Sequence, residues 1–334
     1  MIKWIFLIGF WAGINSAFAQ NYSWQEIQTP VKASLRGLSP VSEEVVWASG
    51  SGGTWLRTLD GGKTWDHGVI AGLDTVDFRS IHAFDGNTAV AASAGQPAVI
   101  YRTEDGGRSW VKVHEEGEEA FFDAIAFSDK GKGYALGDPV GGNWMILETL
   151  DGGKSWRSLT SLPKSEAGEA AFAASSSSMI AKKDQLMFAT GGSISNLHFY
   201  SFSKAQWSKE PISIISQGES SQGVFAISEM DENLILVGGD YLQPKVIQGN
   251  LVIRSKGSFT SPRKSTNGYR SGVAVLGTSN LIVAVGPDGT DFSKDGGMTW
   301  ESFTEVGFHA VKSTPDKKHL WASGSQGRVG KFIK

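Results

Sequence analysis

The sequence predicts an all-β fold: a seven-bladed β-propeller of four-stranded antiparallel blades, closed by an N-terminal strand that completes the last blade. A repeated motif, short strand-like alternations and the chain length give this expectation. Four segments share the pattern Ser/Thr-x-Asp-Gly-Gly-x-Ser/Thr-Trp: Thr58 to Trp65, Thr103 to Trp110, Thr149 to Trp156 and Ser293 to Trp300. Trp65 and Trp110 are 45 residues apart, Trp110 and Trp156 are 46 apart, and the 144 residues from Trp156 to Trp300 make three periods of 48. A fixed period of this length marks an array of one repeated unit.

Within a period, apolar alternation broken by Gly, Asp, Asn and Ser runs over Phe78 to Phe84, Thr88 to Ser93, Val99 to Thr103 and Trp110 to His114. Four short strands in about 45 residues make a propeller blade. Two units lie between Trp156 and Trp300 with the Asp-Gly-Gly worn away, and Trp207 and Phe259 stand near their box positions. The seventh unit runs from Phe308 through Leu320-Trp321-Ala322-Ser323-Gly324 to Phe332, long enough for only three strands. Its fourth is the orphan strand around Trp24, which has no repeat before it. Closure of this kind removes the exposed sheet edges of an open ring. Val46-Trp47-Ala48-Ser49-Gly50 matches Leu320 to Gly324, so both are expected as second strands.

Residues 1–19 read as a cleaved signal peptide. Lys3 precedes an apolar run from Trp4 to Gly13, and Ala17-Phe18-Ala19 places small residues at the −3 and −1 positions of a cleavage site. The run is too short for a bilayer span, which takes about 20 residues. Residues 20–334 then form one domain, 315 residues in seven units of 45. Export to a bacterial periplasm or medium is the expected location, as a monomer with no membrane span after cleavage. The chain has no Cys, which excludes disulfides, thiolate chemistry, Cys-ligated metals and a thioether-linked lipid anchor. Loss of residues 1–19 takes the formal charge from −3 to −4, a surface unsuited to nucleic acid. No cofactor is expected. The six His show neither His-x-His nor His-Glu-x-x-His spacing, so no metal site is expected either.

The boxes resemble the BNR or Asp-box repeats of sialidases and sortilin-type propellers. The whole chain resembles the bacterial photosystem II stability/assembly factor-like family, through Leu35-Arg36-Gly37-Leu38, Phe121-Phe122-Asp123-Ala124, Gly137-Asp138-Pro139-Val140, Gly238-Gly239-Asp240-Tyr241, Gly268-Tyr269-Arg270-Ser271 and Gly307-Phe308-His309-Ala310. That resemblance implies a propeller with an assembly or binding role.

The boxes themselves are expected to be structural. Asp60, Asp105, Asp151 and Asp295 each precede two glycines, which suits a carboxylate that accepts backbone N–H bonds in a tight turn. Trp65, Trp110, Trp156 and Trp300 then pack between blades. The opposite face carries the start of each first strand. Reading those starts around the ring gives Arg36, Arg79, Asp123, a position near Glu169 or Phe172, Phe225, Arg270 and His309. Arg36, Arg79, Arg270 and His309 form a basic arc, faced by Asp123, Glu169 and Asp240, with Tyr241 and Tyr269 nearby.

Two functions follow from this polarised rim. In the first, a non-enzymatic propeller holds a segment of an exported or membrane-associated protein, or a small carboxylate-bearing ligand, through guanidinium groups. In the second, a sialidase-like glycoside hydrolase uses three arginines on an acidic sugar, with Tyr269 or Tyr241 as nucleophile, Glu169 as its activator and Asp123 as acid/base. Sialidases carry Arg-Ile-Pro or Arg-Leu-Pro in the first blade, where this chain has Arg36-Gly37-Leu38. The rim residues could also pair only among themselves.

Overall fold

The computed structural model describes residues 22–277 and 281–334, so the signal-peptide segment 1–19 lies outside the described residues. Seven antiparallel sheets form the ring. Their first strands are Leu35–Pro40, Ser80–Ala83, Phe122–Phe127, Met179–Ala181, Gln222–Met230, Gly272–Leu276 and Ala310–Ser313. Each touches the first strand of the next blade, and the seventh touches the first, so these strands wall a central channel. Blade seven is completed by Ser23–Ile27, whose residues pair with Val329–Ile333 from Ser23 opposite Ile333 to Ile27 opposite Val329. Val46–Gly50 and Leu320–Ser323 are both second strands, as their matching sequences predict.

Alternation decides which residues hold the blades together. Outer strands such as Asp66–Val69 face water, whereas second and third strands such as Val46–Gly50 and Thr54–Thr58 are buried throughout. A strand buried on both faces packs against the blade before it and the blade after it. One apolar cluster fills each of the seven gaps between blades. Trp47, Phe78 and Ile81 join blades one and two, for example, and Leu38, Val46 and Trp321 join blades one and seven.

Each box closes the turn from the third strand to the fourth. In the first, Asp60 Oδ1 accepts from Thr58 Oγ1 and the Thr64 amide, both at 2.9 Å, and Oδ2 accepts from Thr64 Oγ1 at 2.6 Å. Asp105, Asp151 and Asp295 repeat this pattern. The second glycine of each box has φ between +83° and +88°, the left-handed region that glycine enters freely. At Gly107 a Cβ would also stand 2.5 Å from the Trp55 ring of the preceding blade, so side-chain bulk is excluded twice over.

One departure from simple four-stranded blades lies between blades four and five. Glu169–Ala170 pairs with Gly191–Gly192, and Gly191 pairs with Gly223, which extends the fifth sheet to six strands. Only glycines permit this approach: a Cβ on Gly191 would lie 2.5 Å from the Gly223 Cα.

Candidate functional site

The strand order puts the boxes at one end of the channel and the starts of the first strands at the other. At the starts, blades one, three and five share an irregularity. Pairing skips from Leu35 to Gly37, from Phe122 to Ala124 and from Val224 to Ala226. A bulge of this kind frees one residue from the ladder and re-aims its side chain. The freed residues are Arg36, Asp123 and Phe225, and all three line a cavity of about 600 Å³ at the channel mouth. The bulge needs room beside it. A Cβ on Gly50 would lie 2.0 Å from the Ser34 carbonyl, and one on Gly137 would lie 2.3 Å from the Phe121 carbonyl.

Blades two and seven contribute Arg79 and His309, each the residue just before its first strand. Blade six contributes Tyr269, and Asp138 and Tyr241 come from second strands or the loops after them. Blade four contributes chain that does not belong to its own sheet. Ala170 to Ala174 line the mouth, while Ser176 and Ser177 line a second cavity of about 270 Å³ farther along the channel. This segment is tied to the ring on several sides. The Ile125 amide donates to Ser176 Oγ (3.3 Å), the Ile227 amide to the Ser177 carbonyl (2.8 Å), Ser175 Oγ to the Ser271 carbonyl (2.7 Å) and Lys312 Nζ to the Ser176 carbonyl (3.2 Å). It therefore bridges the channel and divides it into two cavities. The run Ala173-Ala174-Ser175-Ser176-Ser177-Ser178 is the signal for this, because only small side chains fit a strap packed inside the ring.

The charged residues of the mouth differ in what satisfies them. Arg79 Nε donates to Asp77 at 2.7 Å, an ion pair. Arg36 is half-buried, and its guanidinium Nη1 donates to the Ala174 carbonyl at 3.2 Å. Among the described residues it has no carboxylate partner. Burial, and then the charge of Arg79, lower its pKa. Asp138 accepts from the Ala171 amide at 3.0 Å, and burial raises its pKa. Asp123 is fully buried, and neither of its oxygens has a hydrogen-bond partner among the described residues. Burial, reinforced by the charge of Asp138, raises its pKa well above the ordinary value. Arg79 and the Ala173 amide, the latter outside normal hydrogen-bond geometry, offset only part of this.

Three expected rim residues, Arg270, Glu169 and Asp240, are outside the cavity lining, and a fourth, His309, lines it. Arg270 is buried and turned away from the cavity, with Nη2 2.5 Å and Nε 2.6 Å from Asp291 Oδ2 and its remaining donors on the Tyr269 and Asn267 carbonyls. The reason is register: Ser271, not Arg270, stands just before the first strand of blade six, the place that Arg79 and His309 hold in blades two and seven, and Ser271 lines the cavity instead. Glu169 is sealed inside, 2.8 Å from His198 Nε2 and bonded to Thr190 and Asn196. Burial opposes its ionisation, but these bonds and the Glu166 amide hold its pKa at about 2. It belongs to the stitch between blades four and five, whereas the first strand of blade four begins ten residues later at Met179. Asp240 closes its own turn, accepting from Gln222 Nε2 and the Leu242 amide. His309 lines the cavity but is held neutral, its pKa lowered to about 3 by burial and then by Arg36, Arg79 and Arg328. Its Nε2 lies 3.2 Å from Ser34 Oγ and 2.9 Å from Ser325 Oγ.

The constellation of a sialidase is therefore not assembled. One of its three arginines and its carboxylate activator are buried elsewhere, and burial raises the pKa of the Tyr269 hydroxyl. The apolar wall is a cluster that sequence reading missed as a unit. Phe172 and Phe225 stack at 3.9 Å, and Tyr269 stands edge-on to Phe225 at 4.8 Å. Tyr241 is half-exposed at the rim. Among the described residues, no three His, Asp or Glu side chains gather as a metal would require, and no helix is long and apolar enough to cross a membrane.

Fold and cavity together define a propeller with a ligand-sized, charged and aromatic mouth. Its resemblance is to the photosystem II assembly factors. The family described as photosynthesis system II assembly factor YCF48 matches residues 16–118. A Synechococcus sp. (strain CC9902) protein named photosystem II assembly lipoprotein Ycf48 is 27% identical over 332 residues, covering 94% of this chain and 90% of its own. Two solved structures share the fold, each with a TM-score of 0.66. One, described as YCF48 bound to D1 peptide, is 18% identical and covers 93% of this chain and 97% of its own. The other, YCF48 from Cyanidioschyzon merolae, is 17% identical and covers 92% and 98%. These are names of assembly factors, not of enzymes. The Synechococcus relative is called a lipoprotein, whereas these 334 residues contain no Cys.

Proposed function

We propose that this chain is an exported, non-enzymatic binding propeller that holds a segment of another protein in the channel-mouth cavity, with Arg36 gripping a carboxylate of that segment. One observation carries the reading. The Arg36 guanidinium is half-buried and spends one donor on the Ala174 carbonyl, and among the described residues it has no ion-pair partner, Asp77 acting on it only at a distance. A guanidinium withdrawn from water is stabilised by a planar anion that accepts two of its N–H bonds at once, and a carboxylate has that geometry. Arg79, about a third exposed and paired with Asp77, lends positive potential from the next blade. A cavity of about 600 Å³ suits a few residues of extended chain rather than a folded surface. The similarity to a propeller described as bound to a D1 peptide supports a peptide-like occupant.

The test is capture of partners from an exported-protein fraction, followed by calorimetry with the C-terminal peptides of the captured proteins as free acids and as amides. Arg36→Ala is expected to keep its melting temperature, lose capture and erase the preference for the free acid. Unchanged capture and affinity in Arg36→Ala would sink the reading.

A further inference from the structure

Among the described residues, Asp123 is a mouth residue that its surroundings leave unsatisfied. Its side chain is fully buried, among the described residues neither oxygen has a hydrogen bond of normal geometry, and it lies on the cavity wall at the bulge in blade three. An unsatisfied carboxyl group in such a place is unfavourable unless something arrives to satisfy it. The ring itself does not do so. Arg79 is tied to Asp77, Arg36 to Ala174 and Arg270 to Asp291, and no Lys lines this cavity. Asp138, which shares the cavity wall, adds negative charge and not a donor. The remaining wall is aromatic, with Phe172, Phe225 and Tyr269 packed together and Tyr241 at the rim.

We infer that Asp123 and Asp138, with the aromatic wall beside them, form a cation subsite that takes an ammonium or guanidinium group of the bound segment, while Arg36 holds its carboxylate. The inference rests on the binding reading above and adds the class of ligand: a segment carrying a basic side chain near a free carboxylate. The chemistry agrees on both counts. Two carboxyl groups supply acceptors for the several N–H donors of such a head, and aromatic faces attract a cation through their negative quadrupole. A ligand with only a carboxylate would leave Asp123 unsatisfied in the complex.

Calorimetry on the full chain tests this with N-acetylated Ala hexapeptides that carry Lys, Arg, norleucine or citrulline at the last, second-last or third-last position, each as free acid and as amide. In at least one position the Lys or Arg peptide is expected to bind about tenfold or more tightly than its neutral counterpart. Asp123→Asn should reduce that ratio to below about threefold, with Asp138→Asn intermediate and both variants melting as cooperatively as the wild type. Equal binding of charged and neutral peptides overturns the inference. So does a Lys preference that persists in Asp123→Asn, or a failure of every peptide to bind. The two readings fail separately. A preference for free acid without a preference for Lys overturns the cation subsite alone, and a Lys preference without any acid-over-amide difference overturns the carboxylate role of Arg36 alone.

Discussion

The box end of the channel and the mouth end use the same side chain in opposite circumstances. Asp151 stands exposed at the box end, yet it accepts hydrogen bonds from Thr149 Oγ1, the Lys154 and Ser155 amides and Ser155 Oγ. Burial pulls its pKa upward, but those bonds bring it down to about 2. Asp123 is buried at the mouth and, among the described residues, accepts no hydrogen bond of normal geometry, and burial moves its pKa the other way. The lesson is that repetition and visibility do not mark function in a propeller. A motif repeated in every blade solves a problem every blade has, namely closing a turn. A residue that appears once, aimed inward and unsatisfied, is where the ring leaves a place for something else. The three arginines divide in the same way: Arg270 is paired with Asp291 and Arg79 with Asp77, whereas Arg36 has no carboxylate partner among the described residues.

The largest effect is expected where a buried charge loses its partner. Asp291→Ala strands the Arg270 guanidinium inside blade six and should cost about 3 to 5 kcal/mol of unfolding free energy, measured by urea denaturation. Arg36→Ala should cost far less stability, and equal losses in the two variants would break the contrast between structural and binding arginines. Next comes the box. Asp151→Ala removes the acceptor shared by Thr149, Lys154 and Ser155, and should cost roughly 2 to 3 kcal/mol in the same measurement. Any effect on peptide affinity should be absent, because the box lies at the far end of the channel.

Asp123→Asn should act with the opposite sign. At pH 7 to 8 the unfolded chain ionises Asp123 freely, while the folded chain must hold it protonated or bury its charge. An acid whose folded pKa is raised destabilises the fold above its unfolded pKa, and the effect vanishes in acid, where both states are protonated. The variant should therefore be more stable than the wild type by roughly 1 to 3 kcal/mol at pH 8, with the gain fading as pH falls toward the ordinary carboxylate range. A stability loss at pH 8 would mean that the carboxylate has a partner after all.

The ring was legible in the sequence because its information is local and repeated. Four boxes gave the period, and the unmatched strand around Trp24 gave the closure. Placement at the mouth was legible only in part, because it depends on a single residue of register. Arg36 and Arg270 look equivalent in sequence, but in blade six Ser271 holds the place just before the first strand, so Arg270, one residue earlier, falls to Asp291 while Arg36 lines the mouth. Glu169 misled for a different reason. With its box worn away, blade four has no fixed point in the sequence, so the strap that bridges the channel and the stitch to blade five are indistinguishable there from the start of a first strand. Aromatic convergence was invisible because Phe172, Phe225 and Tyr269 come from three separate units.

The smallest effect gives the sharpest form of the contrast. Ser155→Ala deletes the hydroxyl that donates to Asp151 Oδ2 at 2.6 Å but leaves the Ser155 amide on Oδ1 at 3.0 Å, so one bond of the box is lost and the turn survives. The expected cost near pH 7 is about 0.5 to 1.5 kcal/mol. Its pH dependence follows from the carboxylate that receives the bond. The folded pKa of Asp151 is depressed to about 2 from an ordinary 3.8, so the stability it contributes is complete above the unfolded value and is lost as pH falls through 2. The cost of Ser155→Ala should thus be constant above about pH 5 and shrink below pH 4. The gain from Asp123→Asn should also shrink in acid, so the two stability differences approach zero from opposite sides. Thermal melts of wild type and both variants from pH 2.5 to 8 measure this, and two curves of the same sign would show that the box carboxylate and the mouth carboxyl are not, after all, in opposite states.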